Sequence, residues 1–299
     1  MATAIDFKAL MAEERRRARN KAAAPATAPA AAPAAAPSIA ASSQQRYRLP
    51  ASDARPALEQ VACGIETVQH VADWITPAEE TALIRCIDEA PQVLWTTLRG
   101  RRLQSLGGQP CAPPQCMTHE PLPPWVESVC NQLVRCGIFP ADAPPNHVLL
   151  NEYQPGQGID AHKDGPLYAP HVAILSLGSH ATFEFLEDSA ARPALVSLLL
   201  PSRGLLLFTH DAYESHLHTV PPVVEDDLSR PELVRLDCPA GGATVAVAGR
   251  VAPRSRRLSL TVRRVLHTPA RSPTQGGEAE GEGEWGRGGA NPAPAVDVA

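Results

Sequence analysis

The chain has 299 residues, 44% of them hydrophobic, and a formal net charge of −5. That is enough for one core in a domain of about 200 residues; no apolar run nears the 18 or more residues of a membrane span, and none forms a signal-peptide core. Seven cysteines, odd in number and scattered, with no C-x2-C pair, argue against a disulfide framework or a zinc knuckle; they read as reduced thiols of an intracellular protein, in nucleus and cytoplasm.

In chain order, residues 1–56 read as a disordered extension. A short charged helix over 6–22 ends in EERRRARNKA, and an Ala/Pro run over 23–43 cannot form a packed core. The basic cluster at 15–21 reads as a solvated helix face, a nuclear address or a nucleic-acid contact, while Asp6, Glu13 and Glu14 argue against a transit peptide. The folded domain is expected over 57–265. Thr76-Pro77-Ala78-Glu79 has a capping-box pattern with proline at the first helical position, and Leu83, Ile84 and Ile87 form the inward stripe. Residues 95–108 (WTTLRGRRLQSLGG) set Arg99, Arg101 and Arg102 beside Trp95, a combination that grips phosphates while a ring stacks on a base. The same residues also suit a solvated hairpin over a core tryptophan. A second helix runs from Pro124 towards Gly137, with Trp125, Val129 and Leu133 inward. Strands follow at 146–153, 171–177, 182–187, 196–200, 204–208, 243–248 and 257–263. Helices first and short strands afterwards predict an α+β chain with a double-sheet jelly roll. The stretch between His218 and Arg257 exceeds what that core needs and carries an acidic EDD at 225–227, so 221–242 reads as an insertion. The Gly/Glu/Pro-rich tail, 266–299, reads as disordered.

Three segments carry chemistry. In GIDAHKDGPLY, His162 and Asp164 stand two residues apart in a strand-like stretch, so both can face one ion. A second histidine farther on would complete a two-His, one-carboxylate set that leaves positions open for substrate and O2, as in non-haem iron oxygenases. His210, His216 and His218 crowd that downstream segment, and His216 and His218 would share a face. In NHVLLNEY, Leu149, Asn151 and Tyr153 share one strand face. In RLSLTVR, Leu258, Leu260 and Val262 alternate with Arg257, Ser259, Thr261 and Arg263. Four polar groups on one strand face solvent or, in a barrel, line a ligand chamber, where an arginine pairs bidentately with a carboxylate such as that of a 2-oxo acid.

N-x-Y, then H-x-D, a distal histidine and R-x5-R resemble the AlkB family of Fe(II)/2-oxoglutarate dioxygenases. WTTLRGRRLQSLGG, LPPWV, NHVLLNEY, GPLY and SLGSH resemble, within it, the subfamily of AlkB homologue six. The resemblance runs from about Val68 to Val265. It implies the double-stranded β-helix (cupin-like) form of the jelly roll, with supporting N-terminal helices and iron at one mouth. It implies that His162, Asp164 and His218 bind Fe(II), that Asn151 and Tyr153 contact 2-oxoglutarate, that Arg257 pairs with its distal carboxylate, and that Arg263 lies near its oxalyl end. Ser259 is a further candidate contact. His218 is preferred over His216 because the family ligand precedes a small and an aliphatic residue, here Thr219 and Val220, although the family usually has glycine at the first. Lys163, between the proximal ligands, and Asp160, in a second shell or a turn, have no role assigned. The implied reaction uses O2 to demethylate or hydroxylate an N-methylated base of a single-stranded or damaged nucleic acid, releasing succinate and CO2. Trp95, Arg99, Arg101 and Arg102 are the substrate candidates, on a monomer without a membrane partner. The alternatives are a protein or small-molecule hydroxylase and a non-catalytic binding module.

Overall fold

The computed structural model describes residues 43–111, 116–236 and 251–266. The readings for 1–42, the strand at 243–248 and the tail from 267 lie outside the described residues. The first long helix, Pro77–Asp88, starts where the sequence signals it. Thr76 Oγ1 accepts from Glu79 N at 3.2 Å, and Glu79 Oε2 accepts from Thr76 N at 2.7 Å, so two of the helix's orphan donors are satisfied reciprocally. It buries Leu83, Cys86 and Ile87, and the second helix, Pro124–Arg135, buries Trp125, Val129 and Leu133.

Before the metal-ligand segment the strands are β1 (Glu59–Gln60), β2 (Val68–Val71), β3 (Thr96–Thr97), β4 (Arg102–Leu106), β5 (Gly108–Cys111), β6 (Cys116–His119) and β7 (His147–Tyr153). From there on they are β8 (Ile159–His162), β9 (His171–Leu177), β10 (Ala181–Glu187), β11 (Ala194–Leu200), β12 (Leu205–Thr209), β13 (His216–Val220), β14 (Glu225–Asp227), β15 (Leu233–Arg235), β16 (Val251–Pro253) and β17 (Arg257–Arg263). An eight-stranded sheet has the order β1-β2-β12-β9-β17-β7-β4-β3, and a five-stranded sheet the order β15-β11-β10-β13-β8. Strand alternation gives the large sheet two buried faces. On one, Leu205, Leu207, Leu175, Leu258, Leu260 and Val148 pack against Leu83, Ile87, Trp125 and Leu133 of the helices. On the other, Leu206, Phe208, Val172 and Ile174 pack against Phe183, Phe185, Leu198 and Leu200 of the small sheet. The result is a jelly roll of two largely antiparallel sheets backed by helices, in agreement with the predicted class. The short strands β1 to β3 and β14 to β16 escape a reading of periodicity because two to four residues are too few to show alternation.

Two segments differ from their sequence readings. Residues 43–56, read as part of the extension, include positions held against the domain: Leu49 is buried, and Arg55 forms a 2.7 Å ion pair with Glu79. The described part of 221–242 is woven into the sheets. Strand β15 pairs in parallel with β11, and β14 pairs with β16. Asp226, at the centre of EDD, is buried and accepts from Thr182 N, Thr182 Oγ1, Arg254 Nε and Arg254 Nη2. Breaking a buried pair strands the remaining charge. Asp226→Ala is therefore expected to cost about 3–5 kcal/mol in urea unfolding; a loss under 1 kcal/mol would mean that 225–227 only decorates the surface.

Candidate metal centre

Strands β8 and β13 are antiparallel neighbours, and their register sets His218 directly opposite His162. Residues opposed in this way point to the same face, which is how two histidines far apart in sequence bring their ring centroids to 4.4 Å. Asp164 arrives differently. Strand β8 ends at His162, so alternation along a strand does not place the carboxylate; three hydrogen bonds of the following loop do. Tyr213 Oη donates to Gly165 O at 2.5 Å, and Lys163 Nζ reaches Glu214 O and Asp188 Oδ2, each at 2.7 Å. Together His162, Asp164 and His218 offer ligand atoms all within 4.8 Å of one another.

The donor atoms suit a cation. The Nδ1 of His162 faces the carbonyl oxygen of Asp160 at 2.8 Å. A carbonyl only accepts, so Nδ1 carries the proton and Nε2 is the ligand atom. That is the role of Asp160, through its backbone. His218 is buried beneath Phe183, whose ring stacks on it at 5.5 Å, and Phe208 at 5.3 Å. Burial, reinforced by His162 and Arg263, lowers its pKa to about 3, so the imidazole is neutral and its lone pair available. Burial opposes the charge of Asp164, but Arg263, His218 and His162 outweigh it and hold the carboxyl below the usual range. Asp164 Oδ1 accepts from Arg263 Nη1, while Oδ2, buried and 4.0 Å from His218 Nε2, has no hydrogen-bond partner. An orphaned carboxylate oxygen beside two imidazole nitrogens fits a divalent metal. His216, the reserve candidate, lies two residues along β13 and faces Asp211 at 3.4 Å.

Behind the triad, β17 lies between β9 and β7 at the centre of the large sheet. Arg257, Ser259 and Arg263 project from it away from the helices and are each about 3% exposed. Asn151 stands opposite Ser259 and Tyr153 opposite Arg257. The Arg257 guanidinium lies 5.6 Å over the Tyr153 ring and donates to Ser176 Oγ at 2.9 Å, while its Nε has no partner. Burial lowers its pKa to about 10. Among the described residues no carboxylate contacts this enclosed cation, and a carboxylate ligand would supply that counterpart. Arg263 is already engaged by Asp164 and lies 4.1 Å over Tyr168; its Nε is buried without a partner. Ser176 has no role assigned from the sequence, where it appears only as the first residue of the resemblance motif SLGSH and as a hydroxyl near the end of the apolar run HVAILSL.

The substrate candidates are split by alternation. Arg102 and Trp95 sit on the helix-covered side of the large sheet: Trp95 is a core residue, and Arg102 lies 4.2 Å over its ring and pairs with Glu152 at 2.5 Å. They therefore form no stacking platform. Arg101 points inward, its Nε donating to Asn151 Oδ1 at 3.0 Å. Arg99 and Arg101 line a groove of about 610 Å³ that opens beside His162. Arg192, from the loop between β10 and β11, lines it too. No sequence signal pointed to that residue.

A family model described as the 2OG-Fe(II) oxygenase superfamily matches residues 67–263. The zebrafish (Danio rerio) protein named probable RNA/DNA demethylase ALKBH6 is 39% identical over 209 residues, covering 67% of this chain and 86% of that one. An uncharacterised protein of Acanthamoeba polyphaga mimivirus, L905, is 28% identical over 200 residues, 66% of this chain and 83% of its own length. Among solved structures, that of OsALKBH1 superposes with a TM-score of 0.47 at 16% identity, covering 69% of this chain and 99% of that one.

Replacing Arg257 by Met should raise the unfolding temperature of the protein without co-substrate, because it removes an uncompensated buried charge. It should also weaken 2-oxoglutarate binding by about a hundredfold, the scale of a desolvated charge pair. Thermal melts and calorimetric titration check both; a stabilised variant that still binds 2-oxoglutarate normally would remove Arg257 from the chamber's function.

Proposed function

The chain belongs to the AlkB family of the 2OG-Fe(II) oxygenase superfamily, and from that membership we propose that its substrate is an N-methylated base of a nucleic acid, presented in the groove beside His162. It is an Fe(II)/2-oxoglutarate-dependent dioxygenase, and the donor set described above is the one that would hold the iron. When bound, iron and 2-oxoglutarate supply the oxidation: of the two O2 oxygen atoms, one enters the succinate formed with loss of CO2, and the other hydroxylates the methyl carbon, which leaves as formaldehyde.

The chain's own residues supply binding, orientation and the exclusion of water. Arg257 and Ser176 would receive the distal carboxylate of the co-substrate, and Tyr153, Asn151 and Ser259 would help to hold it. Arg263 occupies one oxygen of Asp164 and leaves the other for the metal. Phe183 and Phe208 pack on the buried His218 ring and keep water from it.

The observation that carries the substrate reading is the groove itself. Its volume of about 610 Å³ suits one extruded base with its sugar, it reaches His162, and arginines from two separate loops line it. The name of the zebrafish relative supports the same reading. The formal charge of −5 does not oppose it, since the acid is unevenly placed along the sequence: eight glutamate and aspartate residues lie in 266–299 and 225–227, outside the segments that line the groove. Action as a monomer in nucleus and cytoplasm belongs to the same proposal and is supported by Cys63, Cys86, Cys130 and Cys136 being free thiols.

The test supplies Fe(II), 2-oxoglutarate and O2 with single-stranded oligonucleotides carrying N-methylated bases and, separately, with N-methylated peptides. Formaldehyde matched to succinate is expected from the oligonucleotides alone. Release from the peptides instead would transfer the enzyme to a protein substrate.

A further inference from the structure

Arg192 stands in the loop joining β10 and β11 at a φ of 47°. That left-handed backbone costs a residue with a β-carbon about 1–2 kcal/mol, and glycine would hold the turn without the cost. The turn therefore does not account for the arginine, whereas its position in the groove does. The loop is closed at its base by Glu187 N donating to Pro193 O at 3.0 Å. Within it, Asp188 pairs with Lys163 at 2.7 Å, and Arg192 also bears electrostatically on Asp188. Lys163 is the residue between His162 and Asp164, and its second bond, to Glu214 O, fixes it further. A chain of contacts thus runs from the metal-ligand segment through Lys163 and Asp188 to the loop that carries Arg192.

The other arginine comes from a separate hairpin. Arg99 occupies the corner of a turn closed by Leu98 N donating to Arg101 O at 2.8 Å. The turn's Gly100 accepts from Gly158 N at 3.1 Å, and a β-carbon there would meet Gly158 O at 2.6 Å. Only glycine permits that approach, so the Arg99 turn is seated directly against the strand that leads to His162. Two guanidinium groups on two anchored loops, in one groove with a metal ligand in its wall, form a site for an anion that runs past the triad.

We infer that Arg192 and Arg99 form a phosphate subsite for the backbone of a single-stranded nucleic acid, and that the Lys163–Asp188 pair moors Arg192 so that the bound phosphate is in register with His162 and Asp164. The inference rests on the nucleic-acid reading above and extends it to named residues. Arginine suits the task because its planar fork grips phosphate oxygens in a set direction, and a fixed station matters because an ångström of misplacement costs an oxidation its coupling.

The experiment measures binding of a fluorescein-labelled oligothymidylate of about eight nucleotides by anisotropy across a salt series, with Mn(II) and 2-oxoglutarate present. Arg192→Gly relieves the backbone strain and deletes the guanidinium, so its unfolding temperature should be no lower than that of the native protein. Its log–log salt slope should be shallower by about 0.7, the loss of one phosphate contact. Arg192→Lys should keep the native slope, as should Arg135→Ala, which lies in the Asp53 ion pair away from the groove. A native slope in Arg192→Gly overturns the subsite. Asp188→Asn should keep the native slope but release several-fold less formaldehyde per succinate from a methylated oligonucleotide; an unchanged ratio overturns the mooring. If the native protein binds no oligonucleotide at all, the nucleic-acid reading fails, and the subsite with it.

Discussion

Strand β17 has to satisfy two opposed environments at once, and the site depends on how it does so. Leu258, Leu260 and Val262 are buried against the helices, while Arg257, Ser259 and Arg263, also buried, face the small sheet. Because successive side chains alternate, neither set can change face without the other. A register slip of one residue would drive two guanidinium groups into the Leu/Trp layer. The helices thus do more than cover the sheet: by claiming one face for apolar packing they force the polar set inward.

Buried charge would normally be a liability there. Arg263 and Asp164 neutralise one another at hydrogen-bond distance, where the attraction at an effective dielectric of about 20 is of order 4 kcal/mol. Arg257 is different. Among the described residues it has one hydroxyl and one aromatic face in contact, with Asp226 acting only through space, so the folded chain carries a destabilising term that the proposed co-substrate carboxylate would relieve. Affinity for the co-substrate and the instability of the empty chamber are two readings of one buried guanidinium.

The parts of this arrangement legible in the sequence were those with a long enough period or a strong enough cap. Seven residues of RLSLTVR show both faces of β17, and Thr76 to Glu79 shows the helix start together with its mechanism. The jelly roll followed from the order of helices and strands. What the sequence hid was governed by contacts across the fold. The resemblance named His162 and His218, but the strand register through which they meet is one that four- and five-residue strands do not advertise. Asp164 lies past the end of its strand and is placed by Tyr213 and Lys163. The cluster Arg99, Arg101 and Arg102 looked like one basic patch, but alternation sends Arg102 towards Trp95 and Glu152 and Arg101 towards Asn151. Asp226 reads in the sequence only as part of an acidic insertion because its partners, Thr182 and Arg254, lie 44 and 28 residues away.

A division of labour follows. Co-substrate and carboxylate-pairing groups sit on central strands, where packing on both faces allows little movement. The groove-lining arginines sit on loops, where side chains can differ without disturbing the sheets. Loops alone would leave the substrate poorly located, and the structure answers this with short tethers: the backbone contact of Gly100 with Gly158 on one side and the Lys163–Asp188 pair on the other. Lys163 is central because it belongs to both systems. Its backbone lies between two of the residues that would hold the metal, and its ammonium pairs with Asp188 of the outer loop, so one side chain joins the groove's rim to the triad segment.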